Sequence, residues 1–315
     1  MLPDLHIYTG PTAGPPWGYF VDPKNWAMLE RLPRNGSKVF VSEYAAGVSQ
    51  GDGDDPSFNC YAKFPGGPHL SQGGLGNVQA AVHEAAWMAA MERNGDVVKM
   101  AAYAPLLMNA LDGVQHNADG SVAACPYVWS PILIGFNRST IVRTPSYCKA
   151  PRYRCHLGCI LLEMATMSLL TGVQQLFSTN RGGVALDTDV SGPGADTIAA
   201  SATVAAGGET VLKLVNFGNA TAVTVTVHAP ASGAGSCWWT SLSGPALAEN
   251  SWETPDAIKP VTHQPFPVNG EMVEVVVLPN SVNVLRLPAT STASAMKSDD
   301  DAKMPPVIVH VLVDE

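Results

Sequence analysis

The spacing of hydrophobic and polar residues changes near residue 185 and divides the chain into two parts. In the first part, Val39 to Val41 predicts a buried strand, and Val78 to Arg93 predicts a helix with apolar side chains at three-to-four spacing. Asn77 is a suitable N-cap for that helix, and Asn94-Gly95 ends it. A further strand over Val97 to Tyr103 completes the strand–helix–strand order of a parallel sheet.

In the second part, apolar and polar residues alternate in pairs of short segments. Thr210 to Val215 and Ala222 to Val227 flank a turn at Asn216 to Asn219, which predicts a hairpin-like pair. Val273 to Leu278 and Val282 to Leu287 repeat the pattern. This half of the chain is therefore predicted to be an antiparallel β-sandwich.

Composition narrows the class of protein. The 315 residues are enough for two domains, and 46% apolar with 14% charged residues is typical of globular folding. A net charge of -9, from 18 basic and 27 acidic groups, disfavours a nucleic-acid partner and is compatible with a neutral sugar. No uninterrupted apolar run approaches the roughly 18 residues of a membrane span, so no membrane partner is expected.

Signals for redox chemistry and location are weak. The six cysteines are too sparse for a disulfide scaffold. Met1-Leu2-Pro3-Asp4 lacks the basic-then-apolar order of a signal peptide, and the Asn-x-Ser/Thr tripeptides at Asn35, Asn137 and Asn219 arise often by chance. The location of this chain stays open, with secretion of a parent protein as one alternative.

The first candidate catalytic residue is Glu43, which closely follows the apolar run Val39 to Val41. A buried parallel strand that ends in a carboxylate is typical of the active-site face of an α/β barrel, where such a group can act as a nucleophile. From position alone, a salt-bridged residue on the barrel rim is the alternative.

The residues around Glu43, Val39 to Ala46, resemble the nucleophile motif of plant-type α-L-arabinofuranosidases of the glycoside hydrolase family fifty-one type. Further segments resemble that family in the expected order: His6 to Thr9, Glu84 to Ala86 with Glu92 to Leu106, Thr144 to Tyr147, and Leu214 to Gly218. Apart from two interruptions, the resemblance covers about residues 4 to 288. One such motif is weak, whereas five in order are specific.

The resemblance implies a fold of the α/β plus all-β class. A partial (β/α)8 TIM barrel, made of its last three βα units, is followed by an antiparallel β-sandwich. We expect residues 1–184 to form the partial barrel, 185–290 the sandwich and 291–315 a flexible acidic tail. Within that tail, Val307 to Val313 is a strand candidate without a predicted place.

The resemblance also implies the function of a retaining α-L-arabinofuranosidase that acts on arabinose-containing polysaccharides or oligosaccharides. Glu43 is then the nucleophile, Tyr8 hydrogen-bonds it, His6 lines the same pocket, and Trp129 stacks on a sugar ring. Packing is the alternative role for Tyr8, His6 and Trp129. No cofactor and no metal are expected, and the number of subunits stays open.

The chain departs from the family pattern, and these departures affect its expected activity. The family carries its acid/base Glu after the fourth strand, whereas this chain starts at the equivalent of the sixth. We therefore expect the acid/base to be absent and the chain to be inactive alone. Glu84 and Glu92 fall on a helix and Glu163 falls in an unmatched segment, so none is a convincing substitute.

Two segments interrupt the resemblance, and one motif is altered. We interpret Cys148 to Gly172 as a splicing or gene-model error; the rival is a metal site whose ligands have spacings unlike common zinc sites, namely Cys148, Cys155, His156 and Cys159. Gly47 to Gly76 either overhangs the active site or is structureless padding. The family's Trp-Asn-Pro-Asp segment appears as Trp129-Ser130-Pro131-Ile132, which puts substrate contacts there in doubt.

Two other functions stay open. In a non-catalytic carbohydrate-binding protein, Trp238 and Trp239 form a sugar platform on the sandwich, although one buried Trp is the alternative for that pair. The other hypothesis is that the chain is an unstable fragment without a function of its own.

Overall fold

The computed structural model describes residues 3–9, 18–46, 77–103, 172–229, 234–248, 250, 256–268, 272–289 and 308–314, together with five short strands between residues 107 and 143. The α-helices of these regions are α1 (Pro23–Glu30), α2 (Val78–Arg93) and α3 (Val173–Thr179). The strands before residue 150 are β1 (Asp4–Thr9), β2 (Val39–Ala46), β3 (Val98–Ala101), β4 (Leu107–Asn109), β5 (Gln115–His116), β6 (Val122–Ala124), β7 (Ile132–Ile134) and β8 (Ile141–Arg143). The later strands are β9 (Val184–Ser191), β10 (Ile198–Val204), β11 (Thr210–Asn216), β12 (Val223–His228), β13 (Gly235–Ser243), β14 (Val261–Thr262), β15 (Phe266–Val268), β16 (Met272–Val277), β17 (Ser281–Leu287) and β18 (Ile308–Asp314).

The first part of the chain contains a three-stranded parallel sheet in the order β1-β2-β3. Helix α2 lies between β2 and β3 in sequence, so the predicted strand–helix–strand order is confirmed. The buried side chains of β2, Val39 and Val41, share one hydrophobic core with α1 and α2, in which the rings of Phe20 and Trp87 stack with centroids 5.4 Å apart. The five short strands form two small separate sheets.

Helix α2 is central to the fold because it is buried on nearly every side, from Val78 to Met91. Its bounds and its N-cap agree with the prediction: the Asn77 side chain accepts a hydrogen bond of 2.9 Å from the backbone N–H of Ala80. At the other end, the Asn94 amide donates to the carbonyl of Ala90 over 2.8 Å. Side chains therefore satisfy backbone groups that an α-helix leaves unpaired at each end.

Replacing Asn77 by alanine is expected to lower the free energy of unfolding by about 1 kcal/mol, because a buried helix end loses its cap. Urea denaturation of the full chain measures the change. Asn77→Ser is the matched control, since a serine hydroxyl can accept the same hydrogen bond and recovers most of the loss. Equal stability of Asn77→Ala and the unaltered chain would show that the cap contributes nothing.

The second part of the chain is a curled ten-stranded sheet in the order β14-β13-β17-β11-β10-β9-β18-β12-β16, with β15 added to β13. The sheet passes from one layer to the other along β9, which pairs with β10 near Val184 and with β18 from Asp187 onward. Alternating side chains fill the space between the layers, among them Leu212, Leu214, Val225, Val275, Leu285 and Val311. A sandwich-type domain is therefore present, and it is antiparallel except where β9 meets β18.

The predicted hairpin-like pairs are wrong. Strand β11 pairs with β10 and β17, whereas β12 pairs with β16 and β18. Strands β16 and β17 likewise lie in different layers. Alternation identifies the buried face of a strand but not its neighbour, and in a sandwich a short turn can cross between layers as readily as it can join partners.

The end of the chain confirms the strand candidate Val307 to Val313 and contradicts the predicted flexible tail at these residues. Residues 308–314, expected within a flexible acidic tail, form β18 in the middle of the second layer between β9 and β12. Val311 and Val313 are buried in the sandwich core, which explains the ordering of this segment. The rest of the predicted tail, residues 291–307, lies outside the described residues.

The sandwich packs against α2 through the outer face of its first layer, where Val211 and Val215 meet the helix core. Polar contacts also cross this interface: Lys213 bonds Glu92 over 2.5 Å, the Ser201 hydroxyl donates to the same carboxylate over 2.5 Å, and Arg93 donates to the carbonyl of Ala200 over 2.7 Å. Burial lowers the pKa of the Lys213 ammonium, and Glu92 opposes that shift. The interface therefore contains a buried charge pair.

No helix in the described regions is long and apolar enough to cross a membrane.

Candidate active site

Strand β1 contributes three polar side chains to one face of the parallel sheet. Successive residues of a strand point to opposite faces, so Asp4, His6 and Tyr8 share one face while Ile7 points into the core. Tyr8 is partly buried, and His6 and Asp4 are about half exposed. The helices cover the other face, so these three side chains lie on the face that α1 and α2 leave open.

A β-bulge on β2 brings Glu43 to this same face. Leu5 pairs with Val41, but the next residue, His6, pairs with Glu43, so Ser42 is an extra residue in the ladder. Without the bulge, Glu43 would follow Val41 in alternation and point toward the helices. With it, Tyr44 fills the core position, 2% exposed, and the carboxylate of Glu43 turns to the open face.

Glu43 is held by two partners from β1. The Tyr8 hydroxyl donates to Oε2 of Glu43 over 2.5 Å, and Nδ1 of His6 lies 3.3 Å from the same oxygen. A hydrogen bond to a carboxylate is shorter and stronger than a neutral one, so Tyr8 fixes the orientation of the Glu43 carboxylate. The Glu43 side chain is 38% exposed, which leaves its carboxylate accessible.

Asp4 contacts His6 on the side of the ring away from Glu43. Its Oδ2 lies 3.0 Å from Nε2 of His6, and its Oδ1 accepts a hydrogen bond from the hydroxyl of Ser42. The hydrogen bond from Ser42 lowers the pKa of the Asp4 carboxyl, and the neighbouring His6 acts in the same direction. The ring of His6 is therefore positioned between two carboxylates, and the residue that forms the bulge also supports this contact.

Glu84 has a role that its sequence position did not reveal. It is 1% exposed on the helix side of the sheet, and its Oε1 accepts hydrogen bonds from the backbone N–H of Ala46, over 3.1 Å, and from the Tyr103 hydroxyl, over 2.9 Å. Burial raises the pKa of Tyr103, and the Glu84 carboxylate adds to this shift. Glu84 thus ties the end of β2, three residues after Glu43, to the end of β3.

Comparison with known proteins shows similarity to α-L-arabinofuranosidases. Residues 43–169 match the family model described as the α-L-arabinofuranosidase C-terminal domain. α-L-Arabinofuranosidase 2 of Arabidopsis thaliana is 28% identical over 239 residues, covering 74% of this chain and 26% of that protein. α-L-Arabinofuranosidase 1 of the same plant is 32% identical over 144 residues, covering 46% of this chain and 15% of that protein.

Solved structures agree with the sequence matches. The arabinose-bound MgGH51 α-L-arabinofuranosidase superposes with a TM-score of 0.59 at 26% identity, covering 91% of this chain and 37% of that structure. The arabinose complex of the Thermotoga maritima α-L-arabinofuranosidase gives a TM-score of 0.56, covering 90% of this chain and 52% of that one, and at 14% identity it supports the fold alone. In sequence and fold the chain is similar to α-L-arabinofuranosidases of the family fifty-one type. The resemblance found in the motifs is thereby confirmed.

The relationship to the arabinofuranosidases covers only part of the longer relatives. The chain spans about a quarter of the length of Arabidopsis α-L-arabinofuranosidase 2 and between a third and about half of the two solved structures. The curated relatives are glycosidases by name, and the sandwich-type domain agrees with the folds of the solved structures.

Some predicted features of an arabinofuranosidase site lie outside the described residues. These are Trp129, Glu163, residues 47–76, and the rival metal ligands Cys148, Cys155, His156 and Cys159. Within the described ranges, no three His, Cys, Asp or Glu side chains are grouped as a metal site. The roles of Trp129 and of the two interrupting segments therefore stay predictions.

The two tryptophans of β13 do not form a joint platform. Trp238 is 52% exposed, whereas Trp239 points to the opposite face, where its ring stacks on His263 with centroids 4.0 Å apart. The indole N–H of Trp239 also donates to Asn283 over 3.2 Å. Because the rings lie on opposite faces of one strand, one sugar cannot stack on both, and the paired platform of a carbohydrate-binding protein is not formed.

Proposed function

We propose that this chain is part of an α-L-arabinofuranosidase, a retaining glycoside hydrolase of L-arabinose metabolism. The enzyme would release terminal, non-reducing α-L-arabinofuranosyl residues from cell-wall polysaccharides or oligosaccharides. The observation that carries the proposal is the bulge at Ser42, which places the Glu43 carboxylate on the open face of the sheet beside Tyr8 and His6. The family relationship supplies the substrate class.

Glu43 is proposed as the nucleophile. Its carboxylate attacks the anomeric carbon, and a covalent glycosyl-enzyme forms as the leaving group departs. Tyr8, which donates to Oε2, aims the attacking carboxylate, and His6 lines the pocket beside it. Trp129 is proposed to stack on a sugar ring. None of these roles needs a cofactor.

The fold proposed around this site is the last part of a (β/α)8 barrel. Three parallel strands with helices on one face are the repeating units of such a barrel, and an open polar face matches its interior at the C-terminal end of the strands. Residues 1–184 are then barrel and residues 185–290 are sandwich. The ordering of β18 adds residues 308–314 to the sandwich.

A retaining mechanism needs a second carboxyl, about 5–5.5 Å from the nucleophile, to protonate the leaving oxygen. The acidic residues closest in the motifs are engaged elsewhere: Asp4 with Ser42 and His6, Glu84 with Tyr103, and Glu92 with Lys213. We therefore propose that the described residues supply no acid/base and that this chain is inactive alone.

The purified chain is expected to hydrolyse 4-nitrophenyl α-L-arabinofuranoside no faster than the buffer, because the loss of general acid–base catalysis costs about 10²–10⁴-fold. Release of nitrophenol over long incubations measures the rate. Glu43→Gln, which keeps the shape of the side chain, is the matched control. Turnover that disappears in Glu43→Gln would overturn the proposed inactivity and would mean that another residue serves as the acid.

A further inference from the structure

Two histidines, one methionine and one aspartate lie side by side on the sandwich, far in sequence from Glu43. Asp189 on β9 pairs with His310 on β18, His310 pairs with His228 on β12, and His228 pairs with Met272 on β16. Each pair is in direct register, so one row of residues runs across four neighbouring strands. Directly opposed side chains have Cβ atoms only about 4.5–5.5 Å apart.

All four members of this row face outward. The residues beside them along the strands, Val227, Val311 and Val273, are buried in the sandwich core, so alternation sends the row to the opposite face. The side chains of Asp189 and His310 are 58% and 46% exposed, and Met272 is 61% exposed. An ion in solution can therefore reach the row directly.

The geometry of His310 is that of an oriented metal ligand. Its Nδ1 lies 3.5 Å from Oδ2 of Asp189, so the carboxylate contacts one ring nitrogen, and Nε2 is the nitrogen that would bind the ion. Ligating histidines commonly use a carboxylate in this way, to fix the ring and to raise its basicity. Asp189 thus acts on the ring of His310 rather than as a direct ligand.

The second imidazole lies within reach of the same ion. The rings of His228 and His310 are 6.3 Å apart between centroids, with an angle of 29° between their planes. Two imidazoles that share one ion have ring centres roughly 5 to 6.5 Å apart, since each metal–nitrogen bond is about 2.0–2.1 Å. The spacing of the two stacked rings therefore permits a shared ion once the side chains rotate so that a nitrogen of each ring points to one position.

We propose that this row is a copper(II) site in which His228 and His310 supply two imidazole nitrogens, Met272 is a weak axial sulfur ligand, and Asp189 orients His310. Copper(II) binds nitrogen ligands more tightly than the other divalent first-row ions. A thioether beside two imidazoles favours copper further, because soft sulfur ligands select it over magnesium or calcium. Water completes the coordination, since the row is open to solvent.

Copper(II) titration of the full chain, followed by electron paramagnetic resonance and calorimetry, tests the site. Thiols are first blocked with iodoacetamide, because the six cysteines of the chain also bind copper. We expect one tightly bound ion per chain with hyperfine structure from two nitrogens. Absence of a two-nitrogen signal in the unaltered chain would overturn the proposal without any variant.

Variants assign the ligands. His228→Gln and His310→Gln are each expected to weaken binding by at least tenfold, and Asp189→Asn by about ten- to a hundredfold. His6→Gln is the matched control, because His6 is equally exposed and also lies beside a carboxylate but is on the other sheet. A two-nitrogen signal that survives the double variant His228→Gln/His310→Gln, with native circular dichroism, would place the copper elsewhere and overturn the proposal.

Discussion

Incubation of the chain with 2,4-dinitrophenyl α-L-arabinofuranoside is expected to leave one pentosyl group covalently attached to Glu43. Dinitrophenolate is stable enough to depart without a proton, so the first half of a retaining mechanism no longer depends on a general acid. The second half still requires a general base to activate water, so the glycosyl-enzyme accumulates. Intact mass spectrometry measures the added group, and peptide mapping locates it.

Three variants make this labelling specific to the proposed site. Glu43→Gln is expected to remain unlabelled, whereas Glu274→Gln, which changes an exposed carboxylate on the sandwich, is labelled like the unaltered chain. Tyr8→Phe removes the donor to Oε2 of Glu43, and a hydrogen bond to a charged group is worth about 1.5–3 kcal/mol, so labelling slows roughly ten- to a hundredfold. A label that persists in Glu43→Gln would mean that another residue is the nucleophile.

Local sequence signals predicted the first part of the fold well. The bounds of α2 and its cap at Asn77 were predictable because helix periodicity and capping depend on residues within one or two turns of each other. The strand before Glu43 was also evident, since an uninterrupted apolar run predicts a buried parallel strand. In each case the residues that determine the element are close together in the sequence.

The geometry of the candidate site was less predictable. Motifs brought Glu43, Tyr8 and His6 together, but no pattern in the sequence indicates that Ser42 forms a bulge, and simple alternation would send Glu43 toward the helices. The bulge is a property of the pairing between β1 and β2, not of β2 alone. The part that Glu84 plays under the end of β2 was missed for the same reason, because its partners, Ala46 and Tyr103, are distant in sequence.

Strand pairing in the sandwich was the least predictable feature. Alternation correctly indicated the buried residues of β12 and β16, whereas β11 and β17 are buried on both faces because their outer face packs against the helix core. Sequence neighbours were also wrongly assumed to be spatial neighbours. The place of β18 depends on β9 and β12, which lie about eighty residues or more away in sequence. The row of Asp189, His310, His228 and Met272 exists only through this pairing, so no local motif could have revealed it.

The interface between α2 and the sandwich gives the largest expected effect on stability. Lys213→Met is expected to lower the free energy of unfolding by about 3–5 kcal/mol, because it leaves the largely buried Glu92 carboxylate without its cation. Urea denaturation with linear extrapolation measures the loss. Arg286→Met is the matched control. It breaks the ion pair between Arg286 and Glu209, whose side chains are each more than a third exposed, and is expected to cost no more than about 1 kcal/mol.

The double variant Lys213→Met/Glu92→Met should recover most of the loss, since an apolar pair of similar size carries no unpaired charge. If Lys213→Met costs no more than Arg286→Met, the charge pair is not what joins the helix to the sandwich, and apolar packing of Val211 and Val215 on α2 is sufficient.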